Sequence, residues 1–178
     1  TVSLTTSGGN GAGAVTYAVT SAGTAGCSVS GITLSATAAG TCTVTATKAA
    51  DTNYNSAASA ATTVTFGKAN QTITFINPGT RERTSPFVVA PTSSSALAVS
   101  IASSTTSVCT TSGLNITMVA TGTCTIVASQ AGNDNYNAAT NVSNSFTVQD
   151  TIAPTITAFS SSTSDGLYGV GGAISISA

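Results

Sequence analysis

Two short loops carry the residues of this chain that are best suited to chemistry. Residues 49–58 read AADTNYNSAA and residues 131–140 read AGNDNYNAAT, so each loop places carboxylate and amide oxygens around one tyrosine. Calcium prefers oxygen ligands of this kind. The carboxylates are Asp51 in the first loop and Asp134 in the second, and Asp150 offers another in a later linker. These three residues are the calcium candidates.

A structural turn is the favoured interpretation of both loops. The carboxylate is not held at one position, because Asp51 aligns with Asn133. Asparagine tolerates turn conformations and bonds nearby backbone groups. A tyrosine ring can close the end of a β-sandwich while its hydroxyl bonds to the backbone. We therefore expect turns that need no cofactor, with calcium as the alternative. The residues predicted to form them are Asn53, Tyr54, Asn55, Asn135, Tyr136 and Asn137.

Four cysteines are the other reactive side chains. The spacing between Cys27 and Cys42 is the same as the spacing between Cys109 and Cys124. The pattern predicts two disulfides, each worth about 3 kcal/mol and typical of an oxidising, extracellular setting. Buried free thiols are the alternative. A zinc site needs four ligands, and two cysteines without any histidine do not supply them.

The composition disfavours catalysis and nucleic-acid binding. The chain has no histidine, which removes the usual general base near neutral pH. Only 4 basic and 5 acidic residues occur among 178, so there is no basic surface to attract phosphate. No apolar run approaches the roughly 18 residues that a membrane span needs. We expect a protein that is not an enzyme and that has no nucleic-acid partner and no membrane span.

The loops and cysteines belong to an internal repeat. One shift of the sequence, which carries Cys27 onto Cys109 and is called the repeat shift below, aligns the chain on itself without a gap. Of the 31 positions from 27 to 57, 14 are identical. We call residues 1–68 repeat 1 and residues 69–149 repeat 2. Repeat 1 is expected to lack its first strand, because Thr1 aligns with Arg83. Residues 150–178 are expected to supply the first two strands of a third unit.

Alternation of polar and apolar residues predicts an all-β fold. In TCTVTAT (41–47) the threonines point outward and Cys42, Val44 and Ala46 point inward, which is the period of a half-buried strand. Short strands separated by turns are typical of an immunoglobulin-like sandwich. Because the linkers are short, we expect tandem sandwiches in an elongated rod. The strands predicted in repeat 2 span 71–76, 86–90, 97–103, 107–111, 114–119, 122–129 and 141–149, and those of the third unit span 155–159 and 173–178.

The repeats resemble a known family. The segments GTCTVTATKAADTNYNSAA (40–58) and GTCTIVASQAGNDNYNAAT (122–140) are similar to tandem immunoglobulin-like repeats of large bacterial surface proteins. The resemblance implies an extracellular stalk, adhesin or filament at the bacterial cell surface, and it brings no catalytic residues. It assigns no role to the charged cluster 81–83 (RER), which we interpret as a solvated loop, with a partner contact as the alternative.

These observations favour one function and leave two alternatives open. The favoured function is a non-enzymatic structural module whose partners are neighbouring repeats or identical subunits. The first alternative is an immunoglobulin-like module that binds a surface glycan or protein. The second is a fibre subunit joined by strand exchange, in which the tail 150–178 of one copy completes repeat 1 of the next.

Overall fold

The computed structural model describes residues 1–155, and every regular element among them is a β-strand. The predicted all-β fold is therefore confirmed. The strands of repeat 1 are β1 (Val2–Ser3), β2 (Val15–Ser21), β3 (Ser28–Ser30), β4 (Thr33–Ser35), β5 (Gly40–Lys48), β6 (Ala57–Ala58) and β7 (Thr62–Phe66). Those of repeat 2 are β8 (Ile73–Thr74), β9 (Arg81–Glu82), β10 (Phe87–Val88), β11 (Thr92–Ser93), β12 (Ser100–Ser103), β13 (Cys109–Ser112), β14 (Asn115–Met118), β15 (Gly122–Ser129) and β16 (Val142–Gln149). Apart from Thr155, the strands predicted in the third unit lie outside the described residues.

Repeat 2 encloses a core between two sheets. One sheet has the order β12-β15-β16-β9, the other has the order β10-β14-β13, and β11 and β8 form a separate ribbon. Alternate side chains of β15 face this core, because Cys124, Ile126 and Ala128 are fully buried. The other buried members of this core are Ile73, Phe75, Val89, Cys109, Ile116, Ala139, Phe146 and Val148.

Repeat 1 repeats this arrangement with a smaller core. Its first sheet has the order β2-β5-β6, with β7 also paired to β5, and its second sheet has the order β1-β4-β3. Partly buried residues such as Tyr17 and Val64 pack against the core. The buried members are Ala25, Cys27, Leu34, Cys42 and Val44.

One disulfide joins the two sheets within each repeat. Cys27 pairs with Cys42, and Cys109 at the start of β13 pairs with Cys124 in β15. All four cysteine side chains are buried. The two predicted disulfides are therefore confirmed, and the alternative of buried free thiols is not observed.

A glycine begins the longest strand of each repeat for a steric reason. Gly40 and Gly122 have φ of 142° and 137°, a region that side chains with a Cβ rarely adopt. A Cβ on Gly40 would also meet the backbone nitrogen of Ala25 at 2.9 Å. The shared Gly-Thr-Cys-Thr sequence thus places each strand against the preceding loop.

The repeat shift fails at the start of repeat 1. Val2 pairs with Leu34, and its structural counterpart Phe87 pairs with Ile116. The offset from Val2 to Phe87 exceeds the repeat shift by three positions, so the predicted match of Thr1 with Arg83 is wrong. One of the three additional residues lies before β2, and the other two lie between Tyr17 and Cys27, because Tyr17 pairs with Ala46 whereas Ile101 pairs with Ala128.

Two short strands of repeat 2 were not predicted. β9 consists of two charged residues, and it pairs in parallel with the end of β16. β11 pairs with β8. Neither strand has the alternation of polar and apolar residues that predicts a strand from the sequence.

Candidate functional site at the junction of the repeats

In each loop, the side chain two residues before the Asn-Tyr-Asn triplet accepts the hydrogen bonds that close the turn. The Oδ1 atom of Asn133 accepts hydrogen bonds from the N–H groups of Asn135 at 2.9 Å and Tyr136 at 3.0 Å. Asp51 Oδ1 accepts the two equivalent bonds in repeat 1, both at 2.9 Å. These two bonds require only one acceptor oxygen, which aspartate and asparagine both supply. This role was missed from the sequence, although the alignment of Asp51 with Asn133 carried the signal.

The linker between the repeats, which comprises residues 67–70, pairs with the loop of repeat 2 through its backbone. The N–H of Ala69 donates to the carbonyl of Asn135 at 2.8 Å, and the N–H of Asn137 donates to the carbonyl of Ala69 at 2.9 Å. Ala69 and Tyr136 thereby form a parallel bridge. The side chain of Asn137 also donates to Asn70 Oδ1 at 2.9 Å. The loop is therefore a binding surface for the linker as well as a turn.

Side chains extend this junction to repeat 1. Asn135 Oδ1 accepts a hydrogen bond from the N–H of Ala39, which lies in repeat 1, at 2.9 Å. Lys68 Nζ donates to the carbonyl of Asn133 at 2.8 Å. These bonds connect residues 96 and 65 positions apart, so no local sequence pattern could have predicted them.

The junction has to be interpreted from its own geometry, because the chain matches no protein-family model and no curated protein. Among residues 1–155, no helix is long and apolar enough to cross a membrane.

The two loop tyrosines differ in their surroundings. Tyr136 is partly buried and lines a crevice of about 250 Å³ at the junction, together with Phe66 and Ala69. Tyr54 is 48% exposed. Among the described residues neither hydroxyl makes a hydrogen bond. The expected plug is therefore wrong for Tyr54, and Tyr136 instead contacts the junction.

The calcium candidates of the first loop and of the later linker have protein partners. Asp51 Oδ2 accepts a hydrogen bond from the N–H of Ala12 at 2.6 Å. The N–H groups of Asn53 and then Ala12 lower the pKa of Asp51. Asp150 Oδ2 bonds to Arg83 at 2.9 Å. Within residues 1–155 no group of three or more His, Cys, Asp or Glu side chains could hold a metal. Calcium binding at Asp51, Asp134 and Asp150 stays a prediction.

The charged cluster 81–83 holds the residues that follow repeat 2. Glu82 accepts hydrogen bonds from the N–H of Thr151 at 3.0 Å and from Gln149 Nε2 at 2.6 Å. The bond from Thr151 is the main reason that the pKa of Glu82 is lowered. Arg83 forms the salt bridge with Asp150. The cluster is therefore not simply a solvated loop, because it fixes the start of the next linker.

Both linkers are thus held by residues of repeat 2. The loop at Asn133–Asn137 binds the linker that enters the repeat, and the cluster 81–83 binds the residues that leave it. Backbone pairing and charge-assisted bonds of this kind fix orientation. The arrangement is suited to positioning neighbouring units.

Proposed function

We propose that this chain is a non-enzymatic structural segment of an extracellular filament or adhesin stalk at a bacterial cell surface. Successive immunoglobulin-like repeats extend the molecule as a rod, and bonded linkers limit bending between neighbours. Its partners are the neighbouring repeats or identical subunits. It needs no cofactor for this role.

The paired linker at Ala69 is the observation that carries the proposal. A flexible linker leaves neighbouring domains free to reorient, whereas two backbone hydrogen bonds at 2.8 and 2.9 Å restrict the linker on both sides of one residue. Asn135 adds a direct bond from repeat 2 to repeat 1. A chain built to transmit extension benefits from such a junction.

Covalent staples and low charge are consistent with the same role. Each repeat contains a buried disulfide, which suits an oxidising environment outside the cell. The net charge is −1, so repulsion between neighbouring copies is small. Both features favour persistence and close packing outside the cell.

Immunogold electron microscopy of the source bacterium tests this function. Antibodies raised against the purified chain should label surface fibres or stalks on intact cells, and prior absorption with the chain should remove the label. Label confined to the cell interior would refute the proposal. A glycan array gives the competing result, since saturable binding to one glycan class would favour the binding-module alternative.

A further inference from the structure

The loop before β2 contains a pair of residues that can react with each other without an enzyme. Residues 8–13 read GGNGAG, and Asn10 is the only asparagine of the chain that is followed by glycine. In such a pair the backbone nitrogen of the glycine can attack the side-chain amide carbon of the asparagine, because no Cβ obstructs the approach. The pair therefore has the composition that deamidation requires.

The two groups that would react are not held by other bonds. Asn10 is exposed, and neither its side-chain amide nor the N–H of Gly11 makes a hydrogen bond among residues 1–155. Other asparagine side chains are engaged, since Asn133 Oδ1 accepts two backbone N–H bonds and Asn144 Nδ2 donates to a carbonyl. A bonded group would have to open before it could react, so Asn10 is the asparagine best placed to react.

The fold requires glycine at position 11. The φ of Gly11 is 92°, a region that side chains with a Cβ rarely adopt. A Cβ at this position would overlap the carboxylate of Asp51 and would lie 2.9 Å from Cδ2 of Tyr54. The next residue, Ala12, donates its N–H to Asp51 Oδ2 at 2.6 Å. The contact between this loop and the loop at Asp51 therefore keeps a glycine directly after Asn10.

We propose that Asn10 is a site of spontaneous deamidation, and that the modification loosens residues 8–13 from Asp51. The backbone nitrogen of Gly11 forms a bond to Cγ of Asn10, and the side-chain nitrogen leaves as ammonia with the proton of the Gly11 N–H. Water then opens the cyclic imide at either of its two carbonyls. Its oxygen bonds to the carbonyl carbon, and a proton returns to the Gly11 nitrogen. The products are aspartate and isoaspartate at position 10.

Each product disturbs the contact with Asp51 in a different way. Both add one negative charge to a chain whose net charge is −1, and this charge lies two residues before Ala12, whose N–H binds the carboxylate of Asp51. Like charges that share a site repel each other. Isoaspartate also adds one methylene to the backbone before Gly11, which displaces the N–H of Ala12 from its acceptor.

The disturbance should stay within this contact. Asn53 and Tyr54 donate their N–H groups to the other oxygen of Asp51, Oδ1. These bonds lie within the loop that follows β5 and do not pass through residues 8–13. The Asn-Tyr-Asn turn of repeat 1 should therefore persist after Asn10 has reacted. Because the reaction needs only water, this inference does not depend on the proposed filament function.

Peptide mapping by mass spectrometry of the purified full chain tests the proposal. During incubation at mildly alkaline pH, the chymotryptic peptide that contains Asn10 should gain about 1 Da and appear as two products, aspartate and isoaspartate. Asp165 also precedes glycine, but isomerisation there leaves the mass unchanged and falls in another peptide. An unchanged mass at Asn10, or an earlier gain at another asparagine, would overturn the proposal.

A matched variant and a structural measurement test the mechanism and its consequence. Asn10→Gln keeps an amide but would need a larger ring, so its peptide should keep its mass; an equal gain in this variant would overturn the cyclic route. In the deamidated chain the Ala12 amide should exchange hydrogen roughly fivefold faster, as expected for the loss of one net hydrogen bond. The amides of Asn53 and Tyr54 should not change. An unchanged rate at Ala12 would overturn the proposed loosening.

Discussion

Replacement of Asn135 by alanine should loosen the junction between the repeats while leaving the turn intact. The variant loses the acceptor for the N–H of Ala39, a bond of 2.9 Å in a partly buried position. The backbone bonds of Asn135 to Asn133 and Ala69 do not involve its side chain and should remain. A hydrogen bond of this kind contributes about 1 kcal/mol net, which corresponds to roughly a fivefold change in an equilibrium constant.

Amide hydrogen exchange measured by NMR on the full chain reports this change directly. The Ala39 amide should exchange roughly fivefold faster in the variant, because the net loss of one hydrogen bond is about 1 kcal/mol. Asn53→Ala is the matched control, since Asn53 is the exposed counterpart in repeat 1 and its side chain makes no hydrogen bond among residues 1–155. An unchanged rate at Ala39, or the same acceleration in the control, would refute the assigned role of Asn135.

Three further predictions concern the loops and the disulfides. Tyr136→Ala should lower the free energy of unfolding of repeat 2 by about 1 kcal/mol and Tyr54→Ala should lower that of repeat 1 by less than about 0.5 kcal/mol, as measured by urea titration; a larger loss for Tyr54 would contradict the difference in burial. Reduction with dithiothreitol should cost each repeat about 3 kcal/mol, and an unchanged urea midpoint would show that the disulfides are dispensable. Hydrogen bonds lower the pKa of Asp51 below its ordinary value of 3.8, so its charged form stabilises the loop above that pH and the contribution is lost as pH falls through the lowered pKa. Asp51→Asn should remove this acid-dependent step from a series of thermal unfolding curves, and superimposable pH profiles would refute the assignment.

Strands with a buried face were predictable because side-chain alternation encodes them. The prediction of 122–129 matches β15, where cysteine, isoleucine and alanine alternate with less buried residues. The same reasoning failed for β9, because Arg81 and Glu82 are both charged and do not alternate with apolar residues. Their pairing depends on the end of β16, which is distant from them along the chain.

The candidate site was predictable only as a turn. Asparagine and tyrosine in a fixed triplet indicate a local conformation, and the loops adopt one. The bonds that make the triplet a junction connect it to Ala39 and Ala69, and these partners are specified by the tertiary fold. The internal repeat offered one further clue. A residue that recurs in both repeats can be retained for contacts with a neighbouring repeat as well as for contacts within its own.

The disulfide in repeat 2 limits how far that repeat can lengthen under tension. Cys109 and Cys124 are separated by 15 residues, and an extended chain spans about 3.3–3.6 Å per residue. A pulled and unfolded repeat would therefore release roughly 50 Å less contour length than the same repeat with free thiols. A reducing environment would break this disulfide. Each unfolded repeat could then lengthen further before the next repeat begins to unfold.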